Sequence, residues 1–378
     1  MRLVSAKILC QRSPVINSLR QKSEVSCVCV KPQKLSLAAE WEAHDATWIG
    51  WPVSPDTWPG IFERIPAAYA NFVAAMACFE PVNILATRAT QELAKSFLDT
   101  ACETAGASFR VRFLDIPVND SWCRDYGPIF LNRRSGNADG PKQVIIDWDY
   151  NSWGGKYPPW DDDAAVASKV AADLQMQSIK PGIILEGGAI EGNGNGVLLT
   201  TASCLLNPNR NPHHNKEQME SMLRNFMQVD SIAWLPGEGI EGDDTDGHID
   251  QVARFVTADK VLVAAAYDDD APESALLRAN HDVIASFQTP AGLLKPIELK
   301  MPRPKFQQGH RLPACYCNFH IVNNGVIVPT FEDAADDTAL QTLQDAFPDR
   351  KIVGVNAIDL VWGLGAFHCM TQQQPKAP

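Results

Sequence analysis

Three things are scarce in this 378-residue chain. No apolar run reaches the roughly 18 residues that a helix needs to cross a bilayer, so a helical membrane protein is not expected. Positive charge is the second shortage. Lys and Arg number 33 against 45 Asp and Glu, a formal net charge of -12. Non-specific nucleic-acid binding wants a basic face, so that class is set aside. The acidic balance favours small cationic partners instead. The third absence is any Cys-x-x-Cys pair. Ten cysteines are scattered, and Cys27/Cys29 and Cys315/Cys317 are spaced as Cys-x-Cys with no second half beside them. A zinc ribbon or a thioredoxin-type site is therefore not expected. A disulfide framework does not suit a chain this long, so the thiols read as reduced and the compartment as intracellular.

What is present is ordinary for a soluble globular protein: 45% hydrophobic and 21% charged residues. The first residues stand apart. Arg2, Lys7, Arg12, Arg20, Lys22, Lys31 and Lys34 face one acid, Glu24, among several serines. Basic, serine-bearing and acid-poor is the pattern of an organellar transit peptide. Residues 1–36 are read as a basic N-terminal extension of that kind, or else as a disordered tail. Location is then cytoplasmic, or in a chloroplast or mitochondrion if the extension is a transit peptide. Residues 37–378 are read as a single catalytic domain.

Strand-like runs fall at 82–87, 110–116, 128–131, 143–148, 182–185, 197–201, 248–256, 260–265, 318–322, 326–328 and 351–355. Helix-like runs fall at 61–78, 91–104, 162–176, 216–227, 272–287 and 338–347. Strands outnumber helices nearly two to one. A doubly wound sheet would be closer to parity. Repeated units of several strands and one helix fit better.

The chemistry-bearing residues lie on separate segments. Cys369 follows Gly363 and Gly365, which let a backbone approach a ligand closely. A single cysteine is more often a small buried hydrophobe. His368 is adjacent to it and, in an extended segment, points to the opposite face, so the proton-transfer partner must come from elsewhere. On a strand over 247–256, His248 and Asp250 would share a face. Aspartate is depleted in strands, and a buried one must be paired; a bound cation would do that. Asp244-x-Asp246-Gly247 lacks the further acids of a calcium loop. Trp122-Cys123-Arg124-Asp125 precedes a turn. Its bland reading is a surface Arg–Asp contact. Its functional reading sets the Asp125 carboxylate against a cation, with the Trp122 ring for cation–π contact. Glu186 ends an apolar run ahead of Gly187-Gly188 and reads equally as a turn cap or a site residue. Gly192–Gly196 lacks the Lys-Ser/Thr ending of a phosphate loop and reads as a hairpin tip.

Taken in order, Asp120-Ser-Trp-Cys-Arg-Asp125-x-Gly-Pro128, Leu185-Glu-Gly-Gly188, Leu205-Leu-Asn-Pro-Asn-Arg-Asn-Pro212, Asp244-Thr-Asp-Gly-His-Ile-Asp250 and His368-Cys-x-Thr-Gln372 resemble the agmatine deiminase family, which is related to bacterial peptidylarginine deiminases. The likeness runs from Glu40 to Gln373. It implies an α/β fold: a five-bladed pseudo-symmetric propeller of ββαβ-type units around a central site. It implies Cys369 as nucleophile and His248 as acid/base. Asp125 and Asp250 would ligate the guanidinium, and Glu186 would support His248. Gly365, Trp122 and Asp244 are expected to line the substrate, with Asp244, Trp122 or Trp153 as candidates for the distal amine. No metal and no cofactor are expected, and a homo-oligomer is left open.

The expected reaction is hydrolysis of agmatine to N-carbamoylputrescine and ammonia, on a route from arginine to polyamines. Two departures border the site. The family often has Gly-Gly-Gly-Asn-Ile where this chain has Gly363-Leu-Gly-Ala-Phe367, and Ser-Ile-His where it has Ala189-Ile-Glu191. These keep open peptidyl-arginine, free arginine (with Arg210 for the α-carboxylate) or another guanidine as substrate. An amidinotransferase, a metal hydrolase and a non-catalytic guanidine or polyamine binder are the remaining alternatives.

Overall fold

One unit is repeated five times. In each, a strand pairs antiparallel with a second, and a helix then returns the chain to a third strand parallel to the second. This is observed in a computed structural model that describes residues 35–134 and 140–378. The expected N-terminal extension lies outside the described residues apart from its last two positions. The described residues form one compact unit.

The first unit pairs Ile129–Arg133 with Gln143–Ile146 and adds Ser178–Ile179, with Leu35–Leu37 on its outer edge. The second runs Ile190–Gly192, Val197–Thr201, Ser231–Leu235. The third runs Ala253–Phe255, Lys260–Ala265, Lys295–Lys300. The fourth runs His320–Val322, Gly325–Thr330, Lys351–Asn356. The fifth is split across the chain. Its first strand is Thr371–Pro375, near the C-terminus, which pairs with His44–Gly50. Val82–Leu85 and Val111–Leu114 follow in parallel. Five ββαβ units are what the family resemblance implies. Among the described residues, no helix is long and apolar enough to cross a membrane.

Local sequence explains the clearest elements. Lys216–Met227 starts where Asn215 and Gln218 cap each other reciprocally. It buries Met219, Leu223 and Met227, spaced one turn apart on one face. Arg88–Ala105 opens on the Thr87 hydroxyl and closes at Gly106, whose φ of 66° suits a residue without a side chain.

Several expectations need correction. The strand expected over 248–256 is a helical turn, Ile249–Val252, followed by a short strand, Ala253–Phe255. The run 182–185 makes only an isolated bridge between Asp149 and Ile184. The helix expected over 162–176 is broken at Ala165 into Asp161–Ala164 and Val166–Asp173. His44–Gly50, Ser231–Leu235, Lys295–Lys300 and Thr371–Pro375 are strands that the pattern did not reveal.

Candidate active site

Ahead of the first strand in each unit, a short turn brings a polar side chain to a common centre. The helical turn Cys123–Tyr126 carries Asp125, and Glu186 leads into Gly187–Ala189. His248 precedes Ile249–Val252, which carries Asp250. Tyr316–Asn318 ends in Asn318, and Cys369 lies just before Thr371–Pro375. The loop before His248 is shaped by Asp243, whose carboxylate accepts from the Thr245 hydroxyl at 2.6 Å and from Gly247 N at 2.8 Å. The Thr245 hydroxyl oxygen then accepts from His248 N at 3.1 Å. His248 and Asp250 thus reach the centre by a turn, not by strand alternation.

The thiol of Cys369 lies 3.5 Å from Asp250 Oδ2, and Asn318 Nδ2 donates to it at 3.1 Å. Asn318 Oδ1 accepts from the backbone of Ala366 and Cys369, each at 3.2 Å. One asparagine therefore fixes both the loop and the sulfur. The loop is also pinned by Phe367, stacked on Phe72 with centroids 4.2 Å apart. Burying such a ring contributes about 1.5–3 kcal/mol.

His248 Nδ1 lies 3.6 Å from Asp125 Oδ1. Asp125 is held by two donors, Gly188 N at 3.0 Å and Trp153 Nε1 at 2.9 Å. A side chain on Gly188 would put its Cβ 2.6 Å from His248 Nδ1, 2.7 Å from Asp125 Oδ1 and 3.2 Å from Asp250 Oδ2. Glycine there keeps free the volume that these three groups face. Gly365 is needed for a different approach, since a Cβ would meet the Trp122 ring at 2.5 Å.

The two aspartates differ. Burial pushes Asp125 up to about 6, against the pull of His248. Burial also works to raise Asp250, but the hydrogen bond from His368 Nδ1 (2.7 Å) and that ring's charge outweigh it, and Asp250 sits below the usual carboxylate range. Burial, then the Asp250 and Asp125 carboxylates, hold the Cys369 thiol well above its ordinary value. Burial pulls His248 down, yet Asp125 and the Cys204 thiol carry it well above the ordinary imidazole range. These surroundings therefore favour thiol over thiolate and imidazolium over imidazole.

Asp250 Oδ1, both His248 ring nitrogens and Glu186 Oε2 are buried and make no hydrogen bond. Unpaired buried polar atoms cost about 1–3 kcal/mol each, a cost that a hydrogen-bonding ligand removes. The centre opens into a cavity of about 820 Å³ bordered by Trp122, Asp125, Trp153, Asp244, Gly365 and Cys369. Acids outnumber bases along its wall, with Asp56, Asp120, Asp163 and Glu241 facing Lys156 and Arg311.

Two buried arginines support the centre. Arg210 donates to Glu186 Oε1 at 2.7 Å and to Thr245 O at 2.9 Å, and also bonds Asp246. Its Nε, Nη1 and Nη2 are thus all engaged by protein partners. Arg254 joins Glu191, at 3.1 Å, to Glu40. Glu40 Oε2 lies 3.0 Å from His368 Nε2. His368 does face away from the substrate volume, but it anchors Asp250 from behind. The sequence reading missed Asn318, Arg254 and Glu40. Asn318 and Arg254 share one visible signal, a polar residue just before or within the first strand of a unit; Glu40, ahead of His44–Gly50, has none.

Comparison with known proteins agrees with this geometry. The family model for Porphyromonas-type peptidyl-arginine deiminase matches residues 36–375. The agmatine deiminase of Ectopseudomonas mendocina is 35% identical over 367 residues, covering 90% of this chain and 95% of the relative. A solved agmatine deiminase of Enterococcus faecalis superposes with a TM-score of 0.81 at 31% identity, over 91% of this chain and 97% of that one. A C. jejuni agmatine deiminase with substrate bound gives a TM-score of 0.81 at 30% identity, over the same shares. The chain belongs to the agmatine deiminase family, within the group described as Porphyromonas-type peptidyl-arginine deiminases.

Proposed function

We propose that this protein hydrolyses agmatine to N-carbamoylputrescine and ammonia, with Cys369 as nucleophile. The observation that carries the reading is two carboxylates of unlike proton affinity, Asp250 and Asp125, set beside one buried thiol and one buried imidazole.

A guanidinium is planar, charged and rich in N–H donors. Asp125 and Asp250 accept those donors and fix the plane. The arriving cation reverses the local charge, so the Cys369 proton is released to solvent and the thiolate becomes the stable form. The sulfur attacks the guanidinium carbon. His248, as imidazolium, gives its proton to the departing nitrogen, which leaves as ammonia. An amidino-thioether remains on Cys369. Neutral His248 then takes a proton from water and the hydroxyl adds to the carbon; the C–S bond breaks with its electrons on sulfur, and the hydroxyl proton passes to that sulfur, which gives the neutral ureido product and restores the thiol. Placement of this kind lowers a barrier by about 7–11 kcal/mol at best, and proton transfer by a positioned group adds about 10²–10⁴-fold.

The distal ammonium is assigned to Asp244, whose carboxylate accepts from Tyr157 Oη at 2.5 Å at the cavity wall. Free arginine would bring its α-carboxylate toward this acidic end, with Arg210 already engaged. Ammonia release from agmatine, arginine and an arginyl peptide tests the reading. Agmatine is expected to turn over fastest, and Cys369→Ser to fall by about 10³-fold or more. Faster turnover of arginine, or an active Cys369→Ser protein, would sink it.

A further inference from the structure

Cys204 forms and breaks no bond in this chemistry, yet it sits against the acid/base and raises its proton affinity. Its sulfur, a ring nitrogen of His248 and a carboxylate oxygen of Glu186 lie within 4.8 Å of one another, and all three residues are buried. Cys204 comes from the helical turn Ala202–Leu205, after the central strand of the second unit. Both His248 nitrogens and Glu186 Oε2 lack a hydrogen-bond partner. We propose that Glu186, Cys204 and His248 form an inhibitory site for a borderline-soft divalent cation of the zinc class.

The donor set is one thiolate, one imidazole and one carboxylate, the mixture that zinc favours. Zinc holds such atoms at about 2.0–2.3 Å, so the three need only draw in modestly around it, with water as fourth ligand. A second cluster of similar spacing, Glu40, Glu191 and His368, shows why the first is distinctive. There the Arg254 guanidinium already sits between the two carboxylates. In the Cys204 cluster, Arg210 approaches only Oε1 of Glu186, at 2.7 Å, and leaves Oε2 unused.

Metal entry is through the substrate cavity, whose wall includes Asp125, 3.6 Å from His248. On binding, the Cys204 S–H proton and the imidazolium proton at the ligating nitrogen are released to solvent, and metal–sulfur and metal–nitrogen bonds replace them. No electrons are transferred. The metal takes His248 out of service as an acid, so it acts as an inhibitor and not as a cofactor.

The test uses the whole chain with Co²⁺ and Zn²⁺ as probes. Co²⁺ should give a near-ultraviolet thiolate charge-transfer band in the wild type and in Cys369→Ser, but not in Cys204→Ala. Zn²⁺ should inhibit the wild type reversibly, chelator should restore activity, and Cys204→Ala should need at least ~10-fold more zinc for half-inhibition of its own zinc-free rate. If Cys204→Ala does not fold, zinc X-ray absorption on Cys369→Ser decides, with one sulfur among nitrogen and oxygen neighbours expected. A band that survives Cys204→Ala but vanishes in Cys369→Ser overturns the proposal. So does a metal shell without sulfur, or unchanged zinc sensitivity in Cys204→Ala. The optical and absorption readings do not depend on which guanidine is the substrate.

Discussion

Arg210 and Arg254 each bridge two carboxylates beneath the site, and each has its cationic form stabilised beyond the ordinary range by those partners despite burial. They differ in how completely their partners are used. Around Arg254, Glu40 also meets His368, His320 and Ile321 N. Glu191 also accepts from Phe255 N at 2.8 Å. That cluster ends on Asp250, the carboxylate proposed above as a fixed, ionised clamp. Around Arg210, Glu186 keeps one unpaired oxygen and Asp246 is partly exposed. That cluster ends on His248, proposed above as the acid/base that changes charge in turnover. The saturated network suits a fixed clamp. The open one suits a group that gains and loses a proton.

The comparison can be broken at four points. The largest effect is expected from Arg254→Met, which strands two buried carboxylates. Losing one partner of a buried pair costs about 3–5 kcal/mol, to be read as a drop in urea-unfolding free energy. Arg210→Met strands Glu186 fully and Asp246 only partly, so a smaller loss, about 1–3 kcal/mol, should accompany a large fall in kcat. Equal stability losses for the two variants would remove the distinction between saturated and open networks.

His368→Asn tests the link to the clamp. A hydrogen bond to a charged group contributes about 1.5–3 kcal/mol, so KM for agmatine should rise by an order of magnitude or more. The sign of the pH effect is fixed. His368 holds Asp250 below its ordinary value, so removing it raises that value. The ionised clamp is then lost at a higher pH as acidity increases, and the acid limb of kcat/KM moves upward. An unmoved limb would detach His368 from Asp250. The smallest effect belongs to a third arginine, Arg88, whose 3.0 Å pair with Asp115 is solvent-exposed. Arg88→Ala should change stability by no more than about 1 kcal/mol.

Much of this was legible before any coordinates. Strands over 197–201 and 260–265 are short runs rich in apolar and β-branched residues, and the helix over 216–227 repeats Met219, Leu223 and Met227 one turn apart. The site segments were visible because carboxylates and glycines stand together where burial would otherwise exclude charge. The turn at Ile249–Val252 was not legible. A run of Ile, Val, Ala and Phe has strand character, and only the side-chain bonds of Asp243 impose the turn. Thr371–Pro375 was missed for the opposite reason. Its glutamines look like solvent-facing residues, yet Gln374 accepts from Trp48 Nε1 at 3.0 Å and Gln373 from Arg124 at 2.7 Å. Partners from distant segments turn a polar run into an interior strand, and a one-dimensional pattern does not contain them.

The pairing of Thr371–Pro375 with His44–Gly50 bears on protein synthesis. A ribosome makes His44–Gly50 early and Thr371–Pro375 last among the described strands. Throughout elongation the early strand keeps an unpaired edge, and the sulfur two positions ahead of its partner has yet to be made. Cys369 and the closing strand therefore arrive within the same few codons, so the centre receives its sulfur only as the sheet is completed.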